Sequence, residues 1–215
     1  MSVDVPAVIL AGGRSRRMGV ADKCLLPLGG RTILDHVLDA VRPHASAILI
    51  NSNSDTDLFS RFGCPVRADT IPGHPGPLAG LLTGMRWAQA LGASHLVTVP
   101  GDTPFLPSDL IEKLILAKAG HDIAIAAQGL DTHPTIGLWP TDLADRLEDD
   151  VIAGARKMRL WLNGFHVARA EWPMASEAFF NINREADLKE ASDVVLRLPF
   201  RPATEWDFVR SPMLT

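Results

Sequence analysis

A three-layer α/β fold, with helices on both faces of one mostly parallel, doubly wound sheet, is what the 215-residue chain predicts. Three observations predict it. Short apolar runs alternate with longer stretches whose apolar residues recur every three or four positions. Several short runs are apolar on both faces, as strands covered on two sides must be. No repeat, low-complexity segment or interdomain linker interrupts the alternation. In order, the strand runs are 7–10, 47–50, a weak one at 65–67, 95–99, 122–126, 134–139 and 164–168. Between them Ile33, Leu34, Val37, Leu38 and Val41 mark a helix ending near Pro43, and 78–91 and 106–118 carry the same period. The length fits one domain, read as 1–190, with 191–215 a Pro-containing extension without regular pattern.

Composition narrows the functional classes. A chain 47% hydrophobic and 21% charged buries a sizeable core and is not disordered. Its net charge of −4 carries no global basic footprint, which argues against a nucleic-acid or membrane surface. Cys24 and Cys64 stand forty positions apart with no Cys-x-x-Cys, so neither a zinc site nor a disulfide framework is expected. The opening Met-Ser-Val-Asp-Val-Pro has no positive n-region, and its first apolar run is far shorter than a membrane span of ~20 residues. Together these features predict a cytoplasmic protein.

In doubly wound sheets ligands collect outside the carboxyl ends of the strands. The first strand run leads into Leu10-Ala11-Gly12-Gly13-Arg14-Ser15-Arg16-Arg17-Met18-Gly19, then Asp22-Lys23. Paired glycines let the backbone turn and present bare N–H groups, and three arginines and a lysine add cationic donors suited to phosphate. Neither the Gly-Lys-Ser/Thr of a P-loop nor Gly-x-Gly-x-x-Gly is present. Between Arg14 and Arg31 the local charge is +4, which leaves −8 on the remainder. The second and third strand runs lead to Asn51-Ser52-Asn53 and Asp69, and the fourth to Gly101-Asp102-Thr103-Pro104. Asn51 offers an amide donor and acceptor to a base or ribose edge. A carboxylate in a Gly/Pro-bounded turn, Asp102, is placed to hold a hard cation such as Mg²⁺ together with substrate phosphates.

These runs, with Gly76-Pro77-Leu78-Ala79-Gly80, His133-Pro134-Thr135 and Phe180-Asn181-Ile182-Asn183, resemble in order and spacing the molybdenum cofactor guanylyltransferases, over about residues 7 to 190. The resemblance implies a Rossmann-like, nucleotide-diphospho-sugar transferase-like domain that transfers GMP from GTP to molybdopterin and releases pyrophosphate. It implies that Leu10, Ala11, Gly12 and Gly13 line the GTP, that Lys23 reaches its phosphates, that Asn51 and Asp69 contact guanosine, and that Asp102 binds Mg²⁺. Asp102, Lys23 and Arg17 would be catalytic. Arg17, Arg156, Asn181 and Asn183 are candidates for the molybdopterin side, while Arg156 and Arg159 read equally well as a solvated helix face. His133 reads as a strand histidine or a pocket donor. Cofactor-insertion proteins and molybdoenzyme apoproteins would be further partners of a monomer or weak oligomer. The residues also leave open a cytidylyltransferase of the same cofactor, another NTP-dependent transferase, and a nucleotide-binding module without turnover.

Overall fold

The computed structural model describes residues 5–12, 22–73, 76–174 and 177–197. In chain order the strands are Ala7–Leu10 (β1), Pro27–Leu28 (β2), Arg31–Thr32 (β3), Ile48–Asn51 (β4), Val66–Arg67 (β5), His95–Pro100 (β6), Ile123–Gln128 (β7), Asp131–Pro140 (β8) and Val167–Trp172 (β9). The α-helices are Ile33–Val41 (α1), Pro77–Ala90 (α2), Leu110–Ala117 (α3), Ala144–Ile152 (α4), Met158–Trp161 (α5) and Glu185–Arg197 (α6). Seven strands form one sheet in the order β5-β4-β1-β6-β8-β7-β9, and β2 and β3 make a separate hairpin. All neighbours pair in parallel except β8, which runs antiparallel to both β6 and β7. The expected three-layer, mostly parallel architecture is therefore the observed one.

Side-chain alternation explains the layers. In β1, Ala7 and Ile9 join the core beneath α1 and α3, where Leu34, Val37, Leu38, Leu110 and Leu114 are buried. Val8 faces the opposite way, into a second core with Leu78, Leu81, Leu82 and Met85 of α2 and Leu147 and Val151 of α4. Each such side chain contributes about 1.5–3 kcal/mol of transfer free energy. Buried Trp139 of β8 donates its indole N–H to Thr98 Oγ1 of β6 at 2.8 Å, so the one polar atom it brings inside is satisfied.

Local chemistry sets the ends of these elements. Thr32 caps α1 by accepting from the Asp35 amide, and Asp35 accepts from the Thr32 amide at 2.8 Å, a reciprocal capping box. Gly76, at φ +89°, precedes α2, with Pro77 at its first position. Three expected boundaries differ. The helix read over 106–118 begins only at Leu110, because Pro107 holds the preceding residue extended. The strand read at 164–168 is displaced: Leu162–Gly164 forms a 3-10 turn, and Phe165 packs on Trp161 with ring centroids 4.7 Å apart before β9 starts at Val167. Ser192 and its neighbours, read as irregular, continue α6 through Arg197, and Ser192 Oγ donates to Leu188 O. Ala191 and the partly buried Val195 pack with Leu28, Ile33 and Ile182 in a third small cluster, so α6 runs straight through position 190. Helix α4 buries Leu147 and Val151 at four-residue spacing, and Leu143 at its N-cap extends the same stripe by one turn. Among the described residues no helix is long and apolar enough to cross a membrane.

Candidate active site

Parallel registers align Leu10 with Asn51 on one side and Pro100 on the other, so the carboxyl ends of β1, β4 and β6 share one edge of the sheet. Pairing continues a step further: Ala11 N donates to Asn51 O (2.9 Å) and Gly101 N donates to Leu10 O (3.0 Å). Gly12 emerges exposed from this ladder, as a glycine presenting main-chain groups must. Gly13, Arg14, Arg16 and Arg17 lie outside the described residues.

Lys23 sits in a 3-10 turn, Lys23–Leu25, just after that loop. Its Nζ donates to Asp102 Oδ2 at 2.8 Å, to Asn183 Oδ1 at 3.0 Å and to Ile182 O at 3.1 Å. Those three acceptors use all three ammonium protons. The backbone fixes the same junction, since Ile182 N donates to Asp102 O at 3.0 Å. Residues 79 and 160 positions apart in the chain thus converge, and three of the expected site residues, Lys23, Asp102 and Asn183, form one cluster. Asn181 is exposed two residues before Asn183.

A second cluster lies at the β4/β5 end. Asn51 Nδ2 donates to Asp69 Oδ1 (3.0 Å) and to Arg67 O (3.1 Å), while Asn53 Nδ2 donates to Asp69 Oδ2 (2.8 Å) and Asn53 Oδ1 accepts from Asp69 N (2.9 Å). Asn51 is only 3% exposed and both of its amide protons are used. Its geometry makes it the residue that aims Asp69 rather than one that reaches a ligand through its NH₂. Asn53 shares that task, although the sequence marked it only as part of a turn; its signal was the two-residue spacing from Asn51, which returns a side chain to the same face. Gly80 is the other residue missed: a Cβ there would overlap Asn51 Oδ1 and come within 2.7 Å of Leu10 Cδ2, so α2 rests directly on the site.

Arg156 places its carbonyl oxygen against Gly76 at the start of α2, and its guanidinium hydrogen bonds go to neither cluster. It is exposed, and Nη1 donates to Val151 O and Ala155 O, each at 2.8 Å, which satisfies carbonyls at the end of α4. It borders a cleft of about 530 Å³ that Arg146, Asp150, Lys157 and Trp161 also line. Arg159 donates to Thr132 Oγ1 at 3.4 Å. His133 lies where the β7–β8 register shifts; its ring is 4.8 Å from Phe179, burial holds its pKa below the usual value, and Nε2 has no partner among the described residues. A register shift of this kind re-aims side chains along the strand.

The remaining titratable groups limit the chemistry. Burial, aided by the nearby Asp22 and Asp102 carboxylates, pushes the Cys24 thiol up to about 12, so it is no nucleophile. Asp22, 7% exposed, accepts from Ser54 Oγ at 2.8 Å and ties the end of the loop to the chain after β4. Among the described residues no group of three or more His, Cys, Asp or Glu gathers to hold a metal. Among the described residues that meet Lys23, Asp102 is the carboxylate, with Asn183 Oδ1 and Ile182 O as carbonyl oxygens beside it. This fits Mg²⁺, which binds through one or two carboxylates with substrate phosphates completing its shell.

A mostly parallel sheet with Lys23 and Asp102 joined beside the ends of its central strands is an arrangement compatible with a nucleotidyltransferase of the α/β class. The chain belongs to the MobA-like NTP transferase domain family, whose sequence pattern matches residues 7–170. It is 42% identical over 200 residues to a molybdenum cofactor guanylyltransferase from Mesorhizobium japonicum, covering 89% of this chain and 96% of that one. It is 44% identical over 196 residues to one from Rhizobium meliloti, covering 86% and 89%. Among solved structures, molybdopterin-guanine dinucleotide biosynthesis protein A from Archaeoglobus fulgidus superposes with a TM-score of 0.74 at 25% identity, covering 90% of this chain and all of that one. A CMP:2-keto-3-deoxy-manno-octonic acid synthetase complexed with CTP shares the fold at 12% identity, with a TM-score of 0.70 and coverage of 90% and 99%.

Proposed function

We propose that this chain is a molybdenum cofactor guanylyltransferase: a terminal phosphate oxygen of molybdopterin attacks the α-phosphorus of GTP, and pyrophosphate leaves with the electron pair of the broken P–O bond. The observation that carries this reading is the convergence of Lys23, Asp102 and Asn183, with Gly101 packed against both Ala11 and Cys24. An ionised phosphate is already a nucleophile, so the chain needs no covalent residue, in keeping with a buried, protonated Cys24. Its task is to align two polyanions and offset the charge that develops between them.

In this reading Leu10, Ala11, Gly12 and Gly13 line the nucleotide, and Lys23 and Arg17 face its phosphates. Asp69, aimed by Asn51 and Asn53, accepts from the N1–H and exocyclic N–H of guanine. Asp102 would hold Mg²⁺, which supplies charge neutralisation on the phosphates. Asn181 and Asn183 stand on the acceptor side; Arg156 would join them only by giving up its two carbonyls. We place the reaction in the cytoplasm, where Cys24 and Cys64 remain free thiols. The test is to incubate the purified chain with molybdopterin, Mg²⁺ and each NTP in turn. Pyrophosphate and the guanine dinucleotide should form with GTP; release with CTP instead would identify a cytidylyltransferase, and GTP binding without release a carrier module.

A further inference from the structure

Two roles given above to Lys23 and Asp102 compete in the geometry. The Lys23 ammonium lies on Asp102 Oδ2 at 2.8 Å, with its other protons on Asn183 Oδ1 and Ile182 O, and the two side chains are only 14% and 21% exposed. A dication arriving without nucleotide would meet one protein carboxylate, already neutralised and largely shielded from water. A triphosphate changes both sides of that balance. It offers Lys23 a denser anion than Asp102, and it brings the phosphate oxygens that a hard cation needs to complete its shell.

We propose that Lys23 is an internal stand-in for the metal: it occupies Asp102 in the nucleotide-free protein, so that a divalent cation is admitted to Asp102 only together with the triphosphate that draws Lys23 away. The inference rests on the proposed assignment of Asp102 as metal ligand. When Lys23 moves, Asn183 Oδ1 loses its partner and becomes available on the acceptor side. The Ile182 N to Asp102 O bond, at 3.0 Å, involves no part of Lys23 and keeps the segment in place. The exchange swaps one cation for another on the same carboxylate and needs no other chemistry.

The experiment is direct binding of Mn²⁺ to the full chain, followed by the electron paramagnetic resonance of free Mn²⁺, without nucleotide and with a non-hydrolysable GTP analogue, each reading with analogue being corrected for the Mn²⁺ that the analogue takes up without protein. The wild-type chain should bind Mn²⁺ at least about tenfold more weakly without the analogue than with it. Lys23→Met should bind Mn²⁺ alone about tenfold or more tightly than wild type, the size of effect that a charged neighbour within hydrogen-bond reach exerts on a carboxylate. Lys23→Gln, which keeps a donor for Ile182 O and Asn183 without the charge, should show the same gain and covers the case in which the Met variant fails to fold. A residue that only binds phosphate or only props up the loop would not raise metal affinity when removed. Equal Mn²⁺ affinity of wild type and both variants without nucleotide, with Asp102→Asn still abolishing binding in the presence of the analogue, would overturn the exchange and spare the metal assignment. Undiminished Mn²⁺ binding by Asp102→Asn with the analogue would overturn both.

Discussion

Replacing Gly80 by Ala tests whether α2 is shaped around Asn51. In an unconstrained helix interior the change stabilises by about 0.5–1 kcal/mol. Here the added methyl would overlap Asn51 Oδ1, reach Leu10 Cδ2 at 2.7 Å and lie 3.2 Å from Asn51 Cγ. Either α2 retreats from the sheet or Asn51 turns, and turning breaks its bonds to Arg67 O and Asp69 Oδ1. Overpacking costs about 1–3 kcal/mol, and a buried amide left without a partner about as much. After the helix-propensity gain the net loss should be about 0.5–2.5 kcal/mol, a fall in Tm of roughly 1–10 °C for a domain of this size. With Asp69 no longer aimed, the Kd for GTP should rise about tenfold. The comparator is Gly84→Ala in the same helix, where a Cβ would meet Val8 Cγ1 at 2.7 Å and Leu96 Cδ1 at 2.9 Å but no polar group of the site. It should lose similar stability in urea or thermal denaturation and keep its GTP affinity in calorimetric titration. A Gly80→Ala protein that is more stable than wild type and binds GTP unchanged would refute the reasoning.

The other expectations are simpler to check. Asn53→Ala removes two bonds to Asp69 and should raise the KM for GTP several-fold with little change in kcat; steady-state kinetics at saturating acceptor would measure both. Of the two thiols only the half-buried Cys64 should react quickly with a disulfide reagent at pH 8, while Cys24 reacts at the rate of global opening. Because the folded-state pKa of Cys24 is raised, its contribution to stability is complete below the unfolded thiol's pKa and is lost as pH climbs toward about 12; Cys24→Ala should flatten that alkaline decline in denaturant titrations. Thr98→Val leaves the Trp139 indole N–H buried without its acceptor and should cost about 1–3 kcal/mol without altering GTP binding.

How far the sequence reached can be traced to the range of each interaction. The strands β1, β4 and β6 were legible because their residues are buried on both faces, and the capped helix α1 because its period is local. The candidate ligand residues Asn51, Asp69 and Asp102 were legible as polar residues directly after such strands. What was not legible depends on partners far along the chain. Nothing near Lys23 in sequence says that its ammonium will meet residue 102 and residues 182–183 at once. The glycine at position 80 reads locally as a weak helix residue; only the packing of α2 over Asn51 gives it a reason. Likewise the start of β9 shifted because Phe165 found Trp161, a contact across a turn that strand periodicity does not encode.

The two carboxylates of the edge differ in a way that assigns them different partners. Asp69 is held by neutral groups, the amides of Asn51 and Asn53, so its negative charge is oriented but not cancelled. A carboxylate in that condition favours N–H donors of a neutral ring and excludes one that presents acceptors, since the wrong edge would leave both sides unpaired. Asp102 is held by an ammonium, so its charge is cancelled until a cation replaces another. On the proposed assignment the same side-chain type would read a base at one strand end and admit charge at another. What separates them is whether the residue beside each carboxylate carries a charge: exchanging a neutral amide for a lysine beside Asp69 would be expected to abolish purine discrimination while leaving the phosphate end intact.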